Sequence, residues 1–468
     1  MPNTPDPDLP PLSDTGRVTQ AAEVARYVRD CLPSGGLFAG FSWRVATSPF
    51  DPGAELAQEL ASLGRVLLQF NRAVNLLYRL SVAGRQPAWV AEWLDRGKPA
   101  TLIDLQRAPA FKHDLPRVIR PDIILTDDGW CITELDAVPG GIGLTAWLNQ
   151  TYAGAPTPGA PPLGGAEGML QGFAGMFGDA RRVHIVVSDE AATYRPEMVW
   201  LAAQLNARGA PATFQVQTAA FTEFGPGDAV YRFFELFDLP NVPAATAIFD
   251  AAGAHRLRVS PPPKPIFEEK MLFALLWNRN LRGFWRQELG ASFYERLLQR
   301  VPQTWVVDPA PLPPQAAIPD LNLTDWRQLG TLSQRERDLI LKVSGFHEQA
   351  WGARGVALGS DLAREDWATA VDRALRSFPQ SPYVLQRYRK PRAVAANWFD
   401  FGANAVHHFQ GRVRLCPYYF VHGDGDAARA HLGGVLATTC PADKKILHGM
   451  SDAILAPVAH YCVSNGGL

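Results

Sequence analysis

The chain has 468 residues, 47% of them hydrophobic and 19% charged, which is enough for two or three domains with a large buried core. Lys and Arg total 45 against 46 Asp and Glu, giving a formal net charge of -1. This balance excludes a global attraction to nucleic acids or anionic membranes, so a site for a phosphorylated ligand must be a local cluster of cations.

The five cysteines are scattered along the chain and form no CxxC pair. Such an odd, dispersed set indicates neither a disulfide framework nor a zinc site. The N-terminus lacks the cationic and apolar segments of a secretory signal, and no run of about 18 apolar residues predicts a membrane span. We therefore expect a cytoplasmic protein.

The N-terminal quarter is predicted to be mostly helical. Residues 1–15 have the composition of a disordered tail. Beyond them, apolar residues at helical spacing predict helices over Val18–Cys31, Pro52–Ala83 and Trp89–Leu94. In the second helix, the apolar positions alternate steps of four and three and would share one stripe: Leu56, Leu60, Leu63, Leu67, Phe70, Val74 and Leu77. Residues 16–110 are therefore predicted to form a helical region.

A β-hairpin is predicted next. Asp122–Thr126 and Trp130–Glu134 are strand-like runs separated by Asp-Asp-Gly, a favourable hairpin turn. Glu134 and Asp136 are two residues apart and would leave the same face of their strand, close to Asp122 if the strands pair.

Converging carboxylates repel one another unless a cation neutralises them. Two or three hard oxygen ligands of this kind suit Mg²⁺. Asp122, Glu134 and Asp136 are therefore candidate metal ligands, although ordinary exposed acids remain the alternative. Arg120 shares the face of Asp122 and could contact a phosphoryl group held by the metal.

A second region has β–α–β order. Val183–Val187 is a nearly continuous apolar run, Glu197–Arg208 has helical character, and Ala212–Val216 could be the next strand. This order predicts a small parallel sheet of Rossmann-like type over residues 179–260. No GxGxxG follows the first strand, so the sequence does not support a dinucleotide site.

Three lysines in the second half are candidate phosphate contacts. Lys264 and Lys270 precede or enter the predicted helical stretch Phe267–Trp277 and could deliver point charges. Lys342 interrupts the apolar run Leu339–Val343, where a charge needs a partner such as phosphate, unless the strand lies at an edge.

A glycine-rich segment and a further strand follow. Gly345–Gly355 contains Gly352 and Arg354, and its backbone N–H groups could cover phosphates, although glycines also simply make loops. Tyr383–Tyr388 is predicted to be a strand. No GxxxxGK[ST] occurs, which excludes a P-loop site.

In this order, the motifs resemble the ATP-grasp domain of glutathionylspermidine synthases and related circularly permuted ligases. Arg120-Pro-Asp122 precedes Glu134-Leu-Asp136, and the Lys264–Lys270 segment precedes Ala274-Leu-Leu-Trp277. A strand lysine, a glycine-rich flap and a strand containing Gln386 then follow. The shared order covers roughly residues 115 to 440.

The resemblance implies a mixed α/β (α+β) fold, namely an ATP-grasp fold with a Rossmann-like pre-ATP-grasp portion and a helical N-terminal region. Residues 111–178 would carry the metal-binding part, and residues 261–468 the lysines, the flap and the adenine-bordering strand. It also implies ATP as co-substrate with one or two Mg²⁺ ions.

The resemblance further implies a role for each candidate residue. Asp122, Glu134 and Asp136 would bind metal, and Arg120 would act in catalysis. The implied ATP contacts are Lys264, Lys270, Lys342, Gly352, Arg354, Gln386 and Tyr388. A small-molecule or peptide carboxylate would be phosphorylated to an acyl phosphate, and an amine would then displace phosphate to form an amide.

Two alternatives stay open. The chain could be a nucleotide-binding protein without ligase activity, or a metalloenzyme built on His407, His408 and Cys416. Adjacent histidines on a strand point to opposite faces, which disfavours the metalloenzyme. The sequence identifies neither the acid nor the amine, and it leaves the oligomeric state unknown.

Overall fold

The computed structural model describes residues 14–33, 43–156, 160–313, 316–350, 354–447 and 452–460. Of the predicted tail, residues 1–13 lie outside this part, and residues 14 and 15 begin the first helix. Among the described residues, no helix has both the length and the apolar character needed to cross a membrane.

Helices fill the N-terminal quarter and recur between strands afterwards. They are α1 (Asp14–Asp30), α2 (Ala54–Val82), α3 (Ala88–Asp95), α4 (Ala100–Arg107), α5 (Ile142–Ala153), α6 (Gly168–Gly175), α7 (Arg195–Ala207), α8 (Ala245–Gly253), α9 (Met271–Trp277), α10 (Arg282–Arg300) and α11 (Arg364–Ser377). The three helices predicted before residue 110 are confirmed as α1, α2 and α3.

One predicted helix is divided. The stretch predicted over Phe267–Trp277 contains the end of a 3-10 turn at Pro265–Glu268 and then α9. The helix breaks because Glu269 has an extended backbone, and its buried carboxylate pairs with Lys98 at 2.5 Å. A buried ion pair to another element has overridden the local helical pattern.

The strands are β1 (Arg44–Val45), β2 (Val118–Thr126), β3 (Gly129–Asp136), β4 (Arg182–Val187), β5 (Thr213–Thr218), β6 (Ala229–Phe233), β7 (Arg258–Ser260), β8 (Thr304–Val306), β9 (Leu339–Val343), β10 (Val356–Leu358), β11 (Tyr383–Arg387), β12 (Val394–Asp400), β13 (Ala405–His422), β14 (Arg429–Pro441) and β15 (Ile454–Pro457). They include the predicted β2–β3 hairpin and the lysine-bearing strand β9.

These strands form three sheets. The largest has the order β1-β15-β14-β13-β2-β3, with β12 pairing to the first half of β13. The second, β5-β4-β6-β7, is entirely parallel and lies where the Rossmann-like sheet is predicted. The third is the antiparallel sheet β10-β9-β11-β8.

Strand β13 joins the two main layers of the core, because alternate residues of a strand face opposite sides. Tyr419 is fully buried on one side, and its hydroxyl donates to the carbonyl of Leu60 in α2 at 2.6 Å. Phe420 is fully buried on the other side, against Gly172 of α6. Both faces of the large sheet are thus covered by helices, which holds the β2–β3 hairpin in a fixed position.

Candidate active site

One cavity of about 260 Å³ lies where the three sheets meet. Its wall combines the β2–β3 hairpin, residues that follow β4 and β6, and parts of β9 and β11. In parallel α/β sheets, ligands bind outside the carboxyl ends of the strands, as this cavity lies outside β4 and β6. Eight predicted site residues line it: Arg120, Asp122, Glu134, Asp136, Lys270, Lys342, Gln386 and Tyr388.

The hairpin brings the predicted carboxylates opposite one another. In its register Asp122 pairs with Glu134, and Arg120 pairs with Asp136. Asp122 is bound by two guanidinium groups, from Arg120 at 3.0 Å and from Arg414 of β13 at 3.1 Å. Burial opposes ionisation, but these two arginines lower the pKa of Asp122 below its usual value. Asp122 is therefore an ionised carboxylate held by two cations.

The other two carboxylates are also paired. Asp136 accepts from Arg120 Nη2 at 2.9 Å and from the N–H of Val138 at 2.8 Å. Burial nevertheless raises the pKa of Asp136, against the attraction of Arg120. Glu134 is a partly exposed partner of Lys270, with 2.7 Å between its Oε1 and Nζ. The three acids therefore form ion pairs with Arg120, Arg414 and Lys270.

Lys342 differs from Arg120, Lys270 and Arg414 because none of its hydrogen-bond partners is charged. Its Nζ donates to the carbonyl of Thr133 and to Oε1 of Gln386, both at 3.0 Å. Burial, assisted by Lys270, lowers the pKa of Lys342. Within the part of the chain that the structure describes, no carboxylate forms an ion pair with Lys342. An anionic ligand would therefore stabilise its charged ammonium form.

The Gly140–Gly141 turn closes one end of the hairpin wall. The carbonyl of Gly140 accepts from Tyr418 Oη at 2.7 Å and from Arg120 at 3.3 Å. Gly141 has a φ of 89°, which favours glycine, and leads into α5.

Glu197 accepts from the N–H of Gly143 at 3.0 Å, and burial raises the pKa of its carboxyl to about 7.

The predicted metal ligands fit Mg²⁺ in kind, because carboxylate oxygens are its usual protein ligands. Their arrangement is different from a ready-made metal site. Over the described residues, no group of three or more His, Cys, Asp or Glu side chains is placed to hold a metal ion. A metal bound by Glu134 or Asp136 would have to compete with Lys270 or Arg120.

The metalloenzyme alternative needs His407, His408 and Cys416 in one site, but each of the three contacts a different side chain. His408 bonds to the Asn397 side chain at 2.7 Å, and His407 stacks on Trp398. Cys416 instead donates to Asp122 at 3.5 Å. The described structure thus brings no metal-binding set together around these three residues.

Two of the predicted ATP contacts, Lys264 and Arg354, do not line the cavity. Lys264 is buried outside the cavity lining, and its Nζ donates to Asn75 Oδ1 at 2.9 Å and to the carbonyl of Asp114 at 3.0 Å. These partners belong to other elements and hold the Lys264 ammonium group away from the β2–β3 hairpin. Arg354 contacts Glu190 at 3.2 Å, and Gly352 lies outside the described residues. Gln386 lines the cavity beside Lys342, as does Tyr388 at the end of β11.

Seven charged residues of the cavity wall were not predicted from the sequence: Glu190, Glu235, Asp238, Arg387, Arg389, Arg414 and Lys445. Glu235 and Asp238 follow β6, a strand that the sequence did not predict. Had β6 been recognised, its carboxyl end would have marked both residues as candidates. Arg414 lies in β13 and belongs to no sequence motif.

The search with protein-family models gives no match, and neither does the search of curated proteins. Among solved structures, the chain is similar to a glutathione synthetase-like effector (GSS30) from Globodera pallida in its apo form. The TM-score is 0.55 at 11% identity, and the alignment covers 96% of this chain and 98% of that one. A second match, a gamma-glutamylcysteine synthetase candidate from Methylobacillus flagellatus KT, has a TM-score of 0.35 at 10% identity over 84% and 88% of the chains. The first similarity shows that this chain shares its overall fold with that protein.

Proposed function

We propose that this protein is an ATP-dependent carboxylate–amine ligase of the ATP-grasp type. The observation that carries the proposal is that Arg120, Asp122, Glu134 and Asp136 share one cavity with lysines from other sheets and segments. This is the set whose order resembles the glutathionylspermidine synthase-like ligases. The fold similarity to a glutathione synthetase-like protein supports the same class of reaction.

In this proposal, the cationic wall binds the phosphates of ATP. Lys342 is the best placed, since its present partners are the neutral oxygens of Thr133 and Gln386. Lys270 can exchange its contact with Glu134 for a phosphate oxygen. Gln386 lies beside Lys342 on the strand that would border adenine. Arg120 would stabilise the charge that develops as the γ-phosphoryl group is transferred to the substrate carboxylate.

Asp122, Glu134 and Asp136 would hold Mg²⁺, with Glu134 the most exposed of the three. When bound, Mg²⁺ would neutralise phosphate charge. The acyl phosphate then reacts with an amine, whose nitrogen displaces phosphate and forms the amide. A lining that includes apolar residues such as Ile340 and Phe233 would limit water near this reactive intermediate.

Hydroxylamine provides a test, because it traps acyl phosphates as hydroxamates. We expect the protein to release ADP and form hydroxamate when Mg–ATP is supplied with γ-glutamylcysteine or glutathione, two thiol peptides suggested by the neighbouring fold. Both products should depend on the added acid. Nucleotide binding without acid-dependent ADP or hydroxamate would refute the ligase proposal for these substrates.

A second candidate is a nucleotide-binding protein without ligase activity. It is favoured by one observation, namely that Arg120 and Arg414 already neutralise Asp122. In that case the cavity would bind ATP at its lysines, and a wide panel of acids and amines would leave the rate of ADP release unchanged.

A further inference from the structure

Part of the cavity wall is acidic. Glu235 and Asp238 line it just after the carboxyl end of β6. Neither forms an ion pair with any cation in the part of the chain that the structure describes. Lys342 and these two acids thus reach the cavity from different elements, Lys342 from β9 and the acids from the segment after β6.

Glu235 lies against a second carboxylate that is already satisfied. Glu268 accepts from Arg232 Nη2 at 2.6 Å and from the N–H of Leu236 at 2.9 Å. The guanidinium of Arg232 also donates to the carbonyls of Phe234, Pro261 and Pro262. Arg232 is thus committed to Glu268 and to backbone oxygens.

The consequence is that ionisation of Glu235 is disfavoured. Burial, followed by the neighbouring Glu268 and Asp136 carboxylates, raises the pKa of Glu235 well above its ordinary value. Lys270 is the other cation in range, but its Nζ is held by Glu134 at 2.7 Å and by the carbonyl of Ala350 at 2.5 Å. A cationic group entering the cavity would favour the ionised form of Glu235.

Asp238 is a second carboxylate in this wall, and only one of its two oxygens has a hydrogen-bond donor among the described residues. It is only 4% exposed, and its Oδ1 accepts from Asn241 Nδ2 at 2.8 Å. Its Oδ2 is buried and has no hydrogen-bond partner among the described residues. Buried carboxylate oxygens are normally hydrogen-bonded, so a donor from a ligand is the expected complement.

We propose that Glu235 and Asp238 form the subsite that binds the ammonium group of the amine substrate. This inference rests on the proposed ligase function, and it names the substrate class as a primary alkylamine that arrives as a cation. A pair of carboxyl groups without a cationic partner would attract the ammonium group of an amine. Such a pair also favours amines over neutral nucleophiles such as alcohols.

Direct binding to the full-length protein tests the subsite without turnover. Calorimetric titration with 1,4-diaminobutane should show saturable binding to the wild type, whereas uncharged 1,4-butanediol should not bind measurably. Glu235→Gln and Asp238→Asn should each weaken diamine binding by at least about tenfold, the effect of losing one charged hydrogen-bond partner. Glu223→Gln is the matched control, because Glu223 is exposed and lies outside the cavity.

Hydroxylamine separates this proposal from the proposed function, since it is mainly uncharged at neutral pH and needs no ammonium subsite. The Glu235→Gln protein should therefore still form acid-dependent hydroxamate. If the wild type forms none, the ligase proposal fails, and the binding titration still decides whether a cation subsite exists. Equal diamine affinity of wild type and both variants, or no binding to the wild type, would overturn the subsite.

Discussion

Lys342 is a buried cation whose partners in the described structure are neutral. It lies in the middle of the third sheet, where β9 pairs with both β10 and β11, so the edge-strand alternative is wrong. Its Nζ points to Thr133 and Gln386, at the cavity. Burying an ammonium ion without a negatively charged partner costs free energy, and a bound phosphate would offset this cost.

We expect Lys342→Ala to weaken ATP binding by roughly 10- to 100-fold, since a charged hydrogen bond contributes about 1.5–3 kcal/mol. Equilibrium titration with a non-hydrolysable ATP analogue measures the change. Lys112→Ala is a suitable control, because Lys112 is exposed and its described hydrogen bonds involve only its backbone. Unaltered affinity in the Lys342 variant would place the phosphates elsewhere.

Glu134→Gln should abolish Mg²⁺-dependent ADP formation while leaving the fold intact, because an amide oxygen is a weaker metal ligand than a carboxylate. A loss of about 100-fold or more is expected when one charge-stabilising group of a transition state is removed. Asp127→Asn makes the same chemical change in the exposed turn of this hairpin and should have little effect. Turnover equal to that of the wild type would remove Glu134 from the metal site.

Glu197 predicts a pH effect on stability. Burial raises the pKa of its carboxyl from 4.5 to about 7, so the folded protein binds more protons than the unfolded chain between these values. The contribution of Glu197 therefore falls as pH rises through this window, by roughly 3 kcal/mol in all and by roughly 2.5 kcal/mol between about pH 5 and about pH 8. Glu197→Gln should reduce the loss of unfolding free energy between about pH 5 and about pH 8 by this amount. Denaturant titrations at both pH values measure it, and identical pH dependence would contradict the assignment.

At the scale of elements, the β2–β3 hairpin shows how a local pattern positions a site. Its turn and its strands are recognisable from sequence, and the pairing of Asp122 with Glu134 follows from them. The ion pair between Asp122 and Arg414 does not, because β13 joins the hairpin from almost 300 residues later. A contact at such a separation depends on the order of strands in the sheet.

Helix α6 and strand β13 are held at a distance that only glycine permits at position 172. A Cβ there would lie 2.2 Å from the ring of the buried Phe420. Gly172→Ala should therefore lower the free energy of unfolding by about 1–3 kcal/mol, the usual cost of overpacking. Gly283→Ala in α10 meets no heavy atom within 4 Å and should be neutral or stabilising by up to about 1 kcal/mol. Equal stabilities of the two variants in urea unfolding would contradict this packing.

For the whole molecule, residues on or next to the three sheets contribute charges to one cavity, and the proposed phosphate contacts predict how strongly different nucleotides stabilise the protein. Thermal unfolding should be shifted upwards most by Mg–ATP, less by ADP and least by AMP, because each phosphate engages further cations such as Lys270 and Lys342. A ligand at about 100 times its Kd adds about 2.7 kcal/mol of stability. Equal shifts for ATP and AMP would show that these cations do not hold phosphate.

Local periodicity and turn chemistry were sufficient to predict most elements that carry the site. The strand around Lys342 and the hairpin bearing Asp122 and Glu134 were found because each has its own short-range pattern. Strand β6 was missed, since Arg232 interrupts its apolar run. That arginine is fully buried and is stabilised by Glu268, a residue far along the chain.

The sequence by itself therefore determined the mixed α/β class, the carboxylate hairpin and a strand lysine. Only the tertiary structure decided that Lys264 is held by Asn75 outside the cavity, and that Glu235 and Asp238 belong to its wall. The physical reason is that side-chain spacing within an element is fixed by backbone geometry. Charges from different elements become neighbours only when the sheets pack, and no local pattern encodes that arrangement.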